Sequence, residues 1–343
     1  MDSPLFSVVL PVYNGARYLR EAVESVRAQT CADWELLAID DGSTDASPGL
    51  LSELAAMDAR IRIERRANGG VASTRNRGLS RARGEFVTFL DQDDFLHPGA
   101  LARFADAFAD TSADVVSGRA VDFLTTDGAR RFCANETNAG TLLVSETPVH
   151  DVIHPQPGRP GVRASVWARA YRREVLSGIS FPDGVFGADD WVFTMRVMAK
   201  VSRHAMWNGV AYLHRTHPDN VSSAMPMRYI LAMLHAVETV SGEWCDAGPC
   251  VPREDFARAL ASHVQLWGLM LPCLKVYSRE DGRALAAALL RLRQKNLLPF
   301  VSIGHALRYF FVRMGWRRLL PVFWPRRFRN MAIARANHAE EVG

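Results

Sequence analysis

The stretch FVTFLDQDDFLHPG, Phe86 to Gly99, sets Asp91, Asp93 and Asp94 directly behind an apolar run. Neighbouring carboxylates repel one another, so a cation is expected to share their space. Mg2+ and Mn2+ take oxygen ligands and commonly keep one or two carboxylates alongside substrate phosphates. Asp91 and Asp93, two positions apart at a strand end, suit that partial coordination, one holding the ion while the other accepts from a sugar hydroxyl. The competing reading is helix capping, with Asp93 or Asp94 opening a helix through FLHPGALARF.

Further polar clusters carry related chemistry. In DDGSTD, Asp40 is placed to accept from a base or ribose, while Ser43, Thr44 and Asp45 suit a turn and the cap of the next helix. FGADDWVF, Phe186 to Phe193, opens a helix with two acids. Capping accounts for one; the other is free to accept a proton, and a neighbouring diphosphate would raise its pKa against the helix-end effect. Arg75, in STRNRG, is either a solvated cation or a bidentate partner for phosphate. YLHRTHPDN supplies His214, Arg215 and His217, a spacing shared by metal sites and ordinary surface histidines.

The elements around these clusters alternate. FSVVLPVYN, WELLAID, IRIERR and EFVTFL read as strands, separated by the helical patterns ARYLREAVESVRAQ, PGLLSELAAM and GGVASTRNRGLSRA. Strands returning about every 25 to 30 residues with helices between them define βαβ units and a parallel sheet. Ligands bind beyond the carboxyl ends of such strands. Tyr13-Asn14, Asp40-Asp41 and Asp91-Gln92-Asp93 fall at three of those ends. Residues 125–165, rich in Gly, Pro, Thr and Asn, read as long loops; WVFTMRVMAKV resumes helical spacing, and the pattern is helical from about 226 to 298.

Of 343 residues, 48% are hydrophobic and 23% charged, which is a globular and not a disordered composition. The net charge of +4 is uneven: from Val301 onward arginines dominate, leaving the preceding 300 residues slightly acidic. Five cysteines without a C-x-x-C pair imply reduced thiols. The start lacks a signal-peptide pattern, and no run reaches the roughly 20 apolar residues of a spanning helix. A cytoplasmic protein is expected, peripheral at the inner face of the cell membrane if the basic tail binds lipid.

The ordered series SVVLPVYNGARYL, LLAIDDGSTD, NGGVASTRNRG, GEFVTFLDQDD, FGADDWVF and HRTH closely resembles the family 2 glycosyltransferases, over Leu5 to Ala224. The resemblance implies an α/β fold of GT-A type, a doubly wound, mainly parallel sheet with flanking helices, in residues 1–225; the apolar pattern itself makes 226–343 a mostly helical C-terminal region. It implies that Pro11 and Tyr13 contact the base, Asp40 binds the base, Arg75 flanks the nucleotide and Asp91 faces the ribose. Asp93 would hold a divalent metal ion, Mn2+ or Mg2+, with His217 as a further ligand. Asp190 would be the catalytic base; the family's usual Glu-Asp pair is Asp189-Asp190 here, which shortens the first side chain. The implied reaction is inverting transfer from a nucleotide-diphospho-sugar, with UDP favoured, to a hydroxyl of a saccharide or lipid-linked glycan acceptor, in cell-surface polysaccharide biosynthesis.

The basic tail, residues 308–329, interleaves arginines with aromatic and apolar residues and no acid. An interfacial helix on an anionic membrane surface is the leading reading, with a packed or oligomer-forming element close behind; nucleic acid is not the expected partner. A catalytically silent nucleotide-sugar-binding protein of the same fold is the alternative function, opposed by the intact Asp91, Asp93 and Asp190. A nucleotidyltransferase would place a Gly-rich, basic phosphate loop after the first strand, which PVYNGARY is not.

Overall fold

The structure is a computed structural model that describes residues 3–135, 140–146, 165–184 and 187–217, with scattered positions between 231 and 243. The chain divides into two compact units, Met1–Ala236 and Val237–Gly343. The sheet lies in the first. The expected boundary after residue 225, nearly all of the region 226–343 and the basic tail 308–329 lie outside the described residues. Among the described residues, no helix is long and apolar enough to cross a membrane.

The elements run β1 (Phe6–Val12), α1 (Ala16–Arg27), β2 (Trp34–Asp40), α2 (Ser47–Met57), β3 (Ile61–Arg65), α3 (Val71–Arg81), β4 (Phe86–Phe89), β5 (Phe95–Leu96), α4 (Ala100–Thr111) and β6 (Val115–Phe123). They continue with α5 (Thr126–Asn135), β7 (Leu142–Ser145), β8 (Arg169–Arg172), a short 3-10 turn, α6 (Asp189–Met198) and β9 (His204–Arg215). One sheet orders them β3-β2-β1-β4-β8-β6-β9-β5, with β7 also on β9. From β3 to β4 the pairing is parallel, as the alternation requires. β8 then runs antiparallel to both β4 and β6, whereas β6 and β9 are parallel.

β1 and β2 are buried at every residue because helices cover both faces of a parallel sheet. α1 turns Leu19, Ala22, Val23 and Val26 inward at helical spacing. α3 comes so close to β1 that a Cβ on Gly78 would stand 2.4 Å from Val9 Cγ1, so only glycine permits the approach. The layer beneath α6 is aromatic. Phe193 stacks on Phe181 at 3.9 Å, and Phe89 meets both rings edge-on. This packing seats the acidic start of α6 beside the end of β4.

Residues 125–165 are not all loop. α5 and β7 fall within the stretch. α5 fully buries only Ala129, and β7 leaves Leu143 and Val144 exposed, so neither has a strong apolar period. β7 exists because β9 pairs with it across more than 50 residues of chain, a contact that no local pattern announces.

Candidate functional site

The carboxyl ends of β1, β2 and β4 lie side by side along one sheet edge, since Val12 pairs with Asp40 and Val9 with Phe89. The loop after β1 is joined to the loop after β2. Asn14 adopts the left-handed region (φ 49°), and its Oδ1 accepts from the Thr44 amide at 2.8 Å. The amides of Asn14 and Gly15 donate to the hydroxyls of Ser43 and Ser47, and the Ala16 amide donates to Asp45 Oδ2. Asp45 also accepts from Ser47 at the start of α2, so DGSTDAS serves both helices and not α2 alone.

Pro11 is buried in β1 opposite Ile39. The side chain of Tyr13 is 48% exposed. Asp40 is buried at the end of β2. Its Oδ1 accepts from the Ser43 amide; Oδ2 stands 3.2 Å from Arg65 Nε without hydrogen-bond alignment. Asp41 accepts from the Gly69 and Gly70 amides and shapes the turn into α3.

Arg75, on the buried face of α3, is the hub. Nη2 donates to Asp91 Oδ1 at 2.7 Å, and Nη1 donates to Asp189 Oδ2 at 2.8 Å and to Asp190 Oδ1. Burial alone would favour losing the guanidinium charge; Asp190, Asp91 and Asp189 outweigh it and lift the pKa above that of an ordinary arginine. Next to Arg75, Asn76 donates to the Phe181 carbonyl and accepts from the Phe181 amide, tying α3 to the segment before α6. Burial also raises the Asp190 carboxyl. Arg75 opposes that, Asp189 and Asp91 add to it, and the result is a value of about 7. Asp189 is raised as well, chiefly by burial.

The acidic loop after β4 is held by β9. Tyr212 donates from its hydroxyl to Asp94 Oδ2 at 2.7 Å and accepts from the Asp91 amide at 3.1 Å. The Arg215 amide donates to Asp94 Oδ1, and Arg215 Nε donates to the Asp93 carbonyl. Neither Asp93 nor Asp94 caps α4, whose N-cap is Gly99 with no side-chain bond. Asp94 is instead a buried latch, its carboxyl pushed well above the usual range by burial and by Asp93 and Asp91. Arg215 lies over the Tyr18 ring at 4.4 Å and also binds Glu21 on α1.

Asp93 Oδ2 and His217 Nε2 are 2.9 Å apart. Among the described residues, no group of three or more His, Cys, Asp or Glu side chains is arranged around a single ion position. Mn2+ and Mg2+ favour carboxylate oxygens with substrate phosphates completing the shell, a part that Asp93 suits; the His217 imidazole is a donor more typical of softer metals and would be the secondary ligand. The carboxylate of Asp93 is thus the group here whose chemistry fits such an ion, with His217 beside it.

Of the residues singled out by sequence, the structure joins Asp91 and Asp190 through Arg75 and sets Asp93 against His217, whereas Asp40 contacts Ser43 and Arg65 and Pro11 lies within the β1–β2 ladder. Sequence reasoning assigned no role to Gln92, Asn76 or Tyr212, and offered Asp94 as a helix cap where the structure makes it a latch. Only Asn14 carried a local sign, because Asn-Gly favours a left-handed turn.

A parallel sheet with convergent acids at the strand ends, closed by antiparallel strands, defines an α/β protein of GT-A type. The profile of the Glycosyl transferase family 2 matches residues 7–177, and the chain belongs to that family. Two Bacillus subtilis relatives are the "uncharacterized glycosyltransferase EpsJ", 28% identical over 64% of this chain and 63% of that protein, and the "putative glycosyltransferase EpsH", 31% identical over 53% and 52%. The chain therefore spans between about half and two-thirds of these relatives. Among solved structures, S. aureus TarS residues 1–349 in complex with UDP-GlcNAc superposes with a TM-score of 0.69 at 20% identity, over 96% of this chain and 88% of that one. The mannosyltransferase PcManGT from Pyrobaculum calidifontis, in complex with GDP-Man and Mn2+, gives 0.56 at 19% identity, over 98% and 88%.

Proposed function

We propose that this glycosyltransferase is metal-dependent and inverting, moving a sugar from a nucleotide-diphospho-sugar, UDP being the favoured nucleotide, to a hydroxyl of a saccharide or lipid-linked glycan in cell-surface polysaccharide assembly. The observation that carries the reading is the Arg75 hub, which joins the acid at the end of β4 to the acids opening α6. A donor-side carboxylate and a proton acceptor whose carboxyl sits near neutrality are thereby held on one guanidinium. Two of the fold neighbours hold a nucleotide-sugar, one of them with Mn2+, which accords with this reading.

Residues 1–225 are proposed as the catalytic domain and 226–343 as a helical region whose basic tail meets an anionic membrane surface. In the catalytic domain, Asp40 Oδ2, buried and lacking an aligned donor, accepts from the base, with Pro11 and Tyr13 lining the same pocket. Asp91 takes the ribose. Asp93 and His217 would hold the divalent ion, which when bound supplies positive charge to the diphosphate as negative charge builds there. Arg75 keeps Asp91 and Asp190 at fixed separation. Asp190 removes the proton from the acceptor hydroxyl while that oxygen attacks the anomeric carbon. The bond from that carbon to the diphosphate oxygen breaks on the opposite face, and the configuration inverts.

The test is a screen of nucleotide-sugars for nucleotide release and glycan product, with Mn2+ or Mg2+ and with chelator. Asp190→Asn should abolish transfer while retaining nucleotide binding. Turnover unaffected by chelation would remove the role given to Asp93 and His217. Full activity of Asp190→Asn would remove the proposed mechanism.

A further inference from the structure

The middle residue of the acidic motif makes contacts that the reading above leaves unused. The Tyr13 amide donates to Gln92 Oε1 at 2.8 Å, and Gln92 Nε2 donates to the Tyr13 carbonyl at 3.0 Å. The β1–β4 ladder ends with the Leu90 amide donating to the Val9 carbonyl. Backbone groups alternate sides along a strand, so Pro11 and Tyr13 follow Val9 on the β4 side. Pro11 has no amide hydrogen to offer there. The Gln92 carboxamide thus stands in for a missing strand partner at Tyr13 and provides both of its bonds.

A second feature points the same way. Gly15 has φ −105° and ψ 10°, a conformation open to any residue, so backbone strain does not demand glycine. A Cβ there would stand 2.2 Å from Gln92 Oε1. Gly15 is the space into which the carboxamide fits. The chemistry is selective as well: a carboxylate would face the Tyr13 carbonyl with a second acceptor, and asparagine is one methylene short.

We infer that Gln92 is a positioning residue for the donor nucleotide, clamping Tyr13 to the acidic loop so that the base wall and the Asp91–Asp93 segment form one rigid unit. The inference rests on the functional reading above, in which Tyr13 lines the base pocket.

The test titrates UDP with Mn2+ into full-length protein. Loss of two modest hydrogen bonds should weaken UDP binding of Gln92→Ala by about tenfold. Gly15→Ala should weaken it similarly, but cost nothing further in the Gln92→Ala background, since both changes remove the same clamp. In turnover, most of the loss should fall on donor KM and not on kcat. Gln92→Glu supplies a readout that a general packing defect would not move. It keeps the length and the acceptor oxygen of the side chain but loses the amide donor to the Tyr13 carbonyl, so UDP binding should fall about as far as in Gln92→Ala, whereas a merely space-filling side chain would leave it near wild type. Wild-type UDP affinity in both alanine variants, or additive effects in the double variant, would overturn the clamp while leaving the enzyme assignment intact. Absence of UDP and GDP binding by the wild type would instead remove the functional reading, and the clamp with it.

Discussion

Replacing Arg75 by methionine keeps the bulk of the side chain and deletes a guanidinium that neutralises three carboxylates. Side-chain exposure is 5% for Arg75, 4% for Asp189, 23% for Asp190 and 26% for Asp91, so the pair with Asp189 is fully desolvated and the other two are partly screened. Removing one partner of such a buried pair costs about 3–5 kcal/mol while the orphaned charges remain. The cost must depend on pH. Folding raises the Asp190 carboxyl from 3.8 to about 7, so the folded state binds its proton more tightly than the unfolded chain. Folding therefore takes up a proton between those values, and stability falls as pH rises through that window. Without Arg75 the carboxyls rise further, which extends the window upward and steepens the fall. Urea unfolding should show Arg75→Met losing about 3–5 kcal/mol near pH 8 and about half that near pH 5, where the acids are neutralised by protons instead. Equal losses at both pH values, or a loss below about 1 kcal/mol, would refute the claim that Arg75 compensates these acids.

Other outcomes follow from the same geometry. kcat/KM for glycosyl transfer should rise with pH through about 7 as the Asp190 carboxyl ionises, and a flat profile from pH 5 to 9 would exclude it as the base. His217→Ala should weaken Mn2+ activation by about 10- to 100-fold, read as the metal concentration at half-maximal rate, with far less effect on metal-free UDP binding. Tyr212→Phe strips the latch hydroxyl from both Asp94 and the Asp91 amide; a stability loss of about 1–3 kcal/mol is expected from thermal or urea unfolding, and no loss would show that the latch is dispensable.

Much of the candidate site was legible because its polar groups sit at ends of elements that are themselves locally coded. Continuous apolar runs mark β1, β2 and β4, and the acids that follow them must lie at the carboxyl edge of a parallel sheet. Asp40, Asp91, Asp93 and the Asp189-Asp190 pair could therefore be named from short stretches. The long middle region was harder. β6, β8 and β9 pair with partners far along the chain, and β7 and α5 bury little of their own surface, so periodicity left them unmarked.

Composition and pattern by themselves determined the parallel half of the fold and the types of side chain at its rim. Tertiary structure alone decided which of those groups touch. Arg75 reaches Asp190 across 115 positions, Gln92 reaches Tyr13 across 79, and Asp91 meets Tyr212 across 121. An isolated segment states what a charge or an amide can bind; the partner is chosen only when the closed sheet removes water and leaves one neighbour within reach.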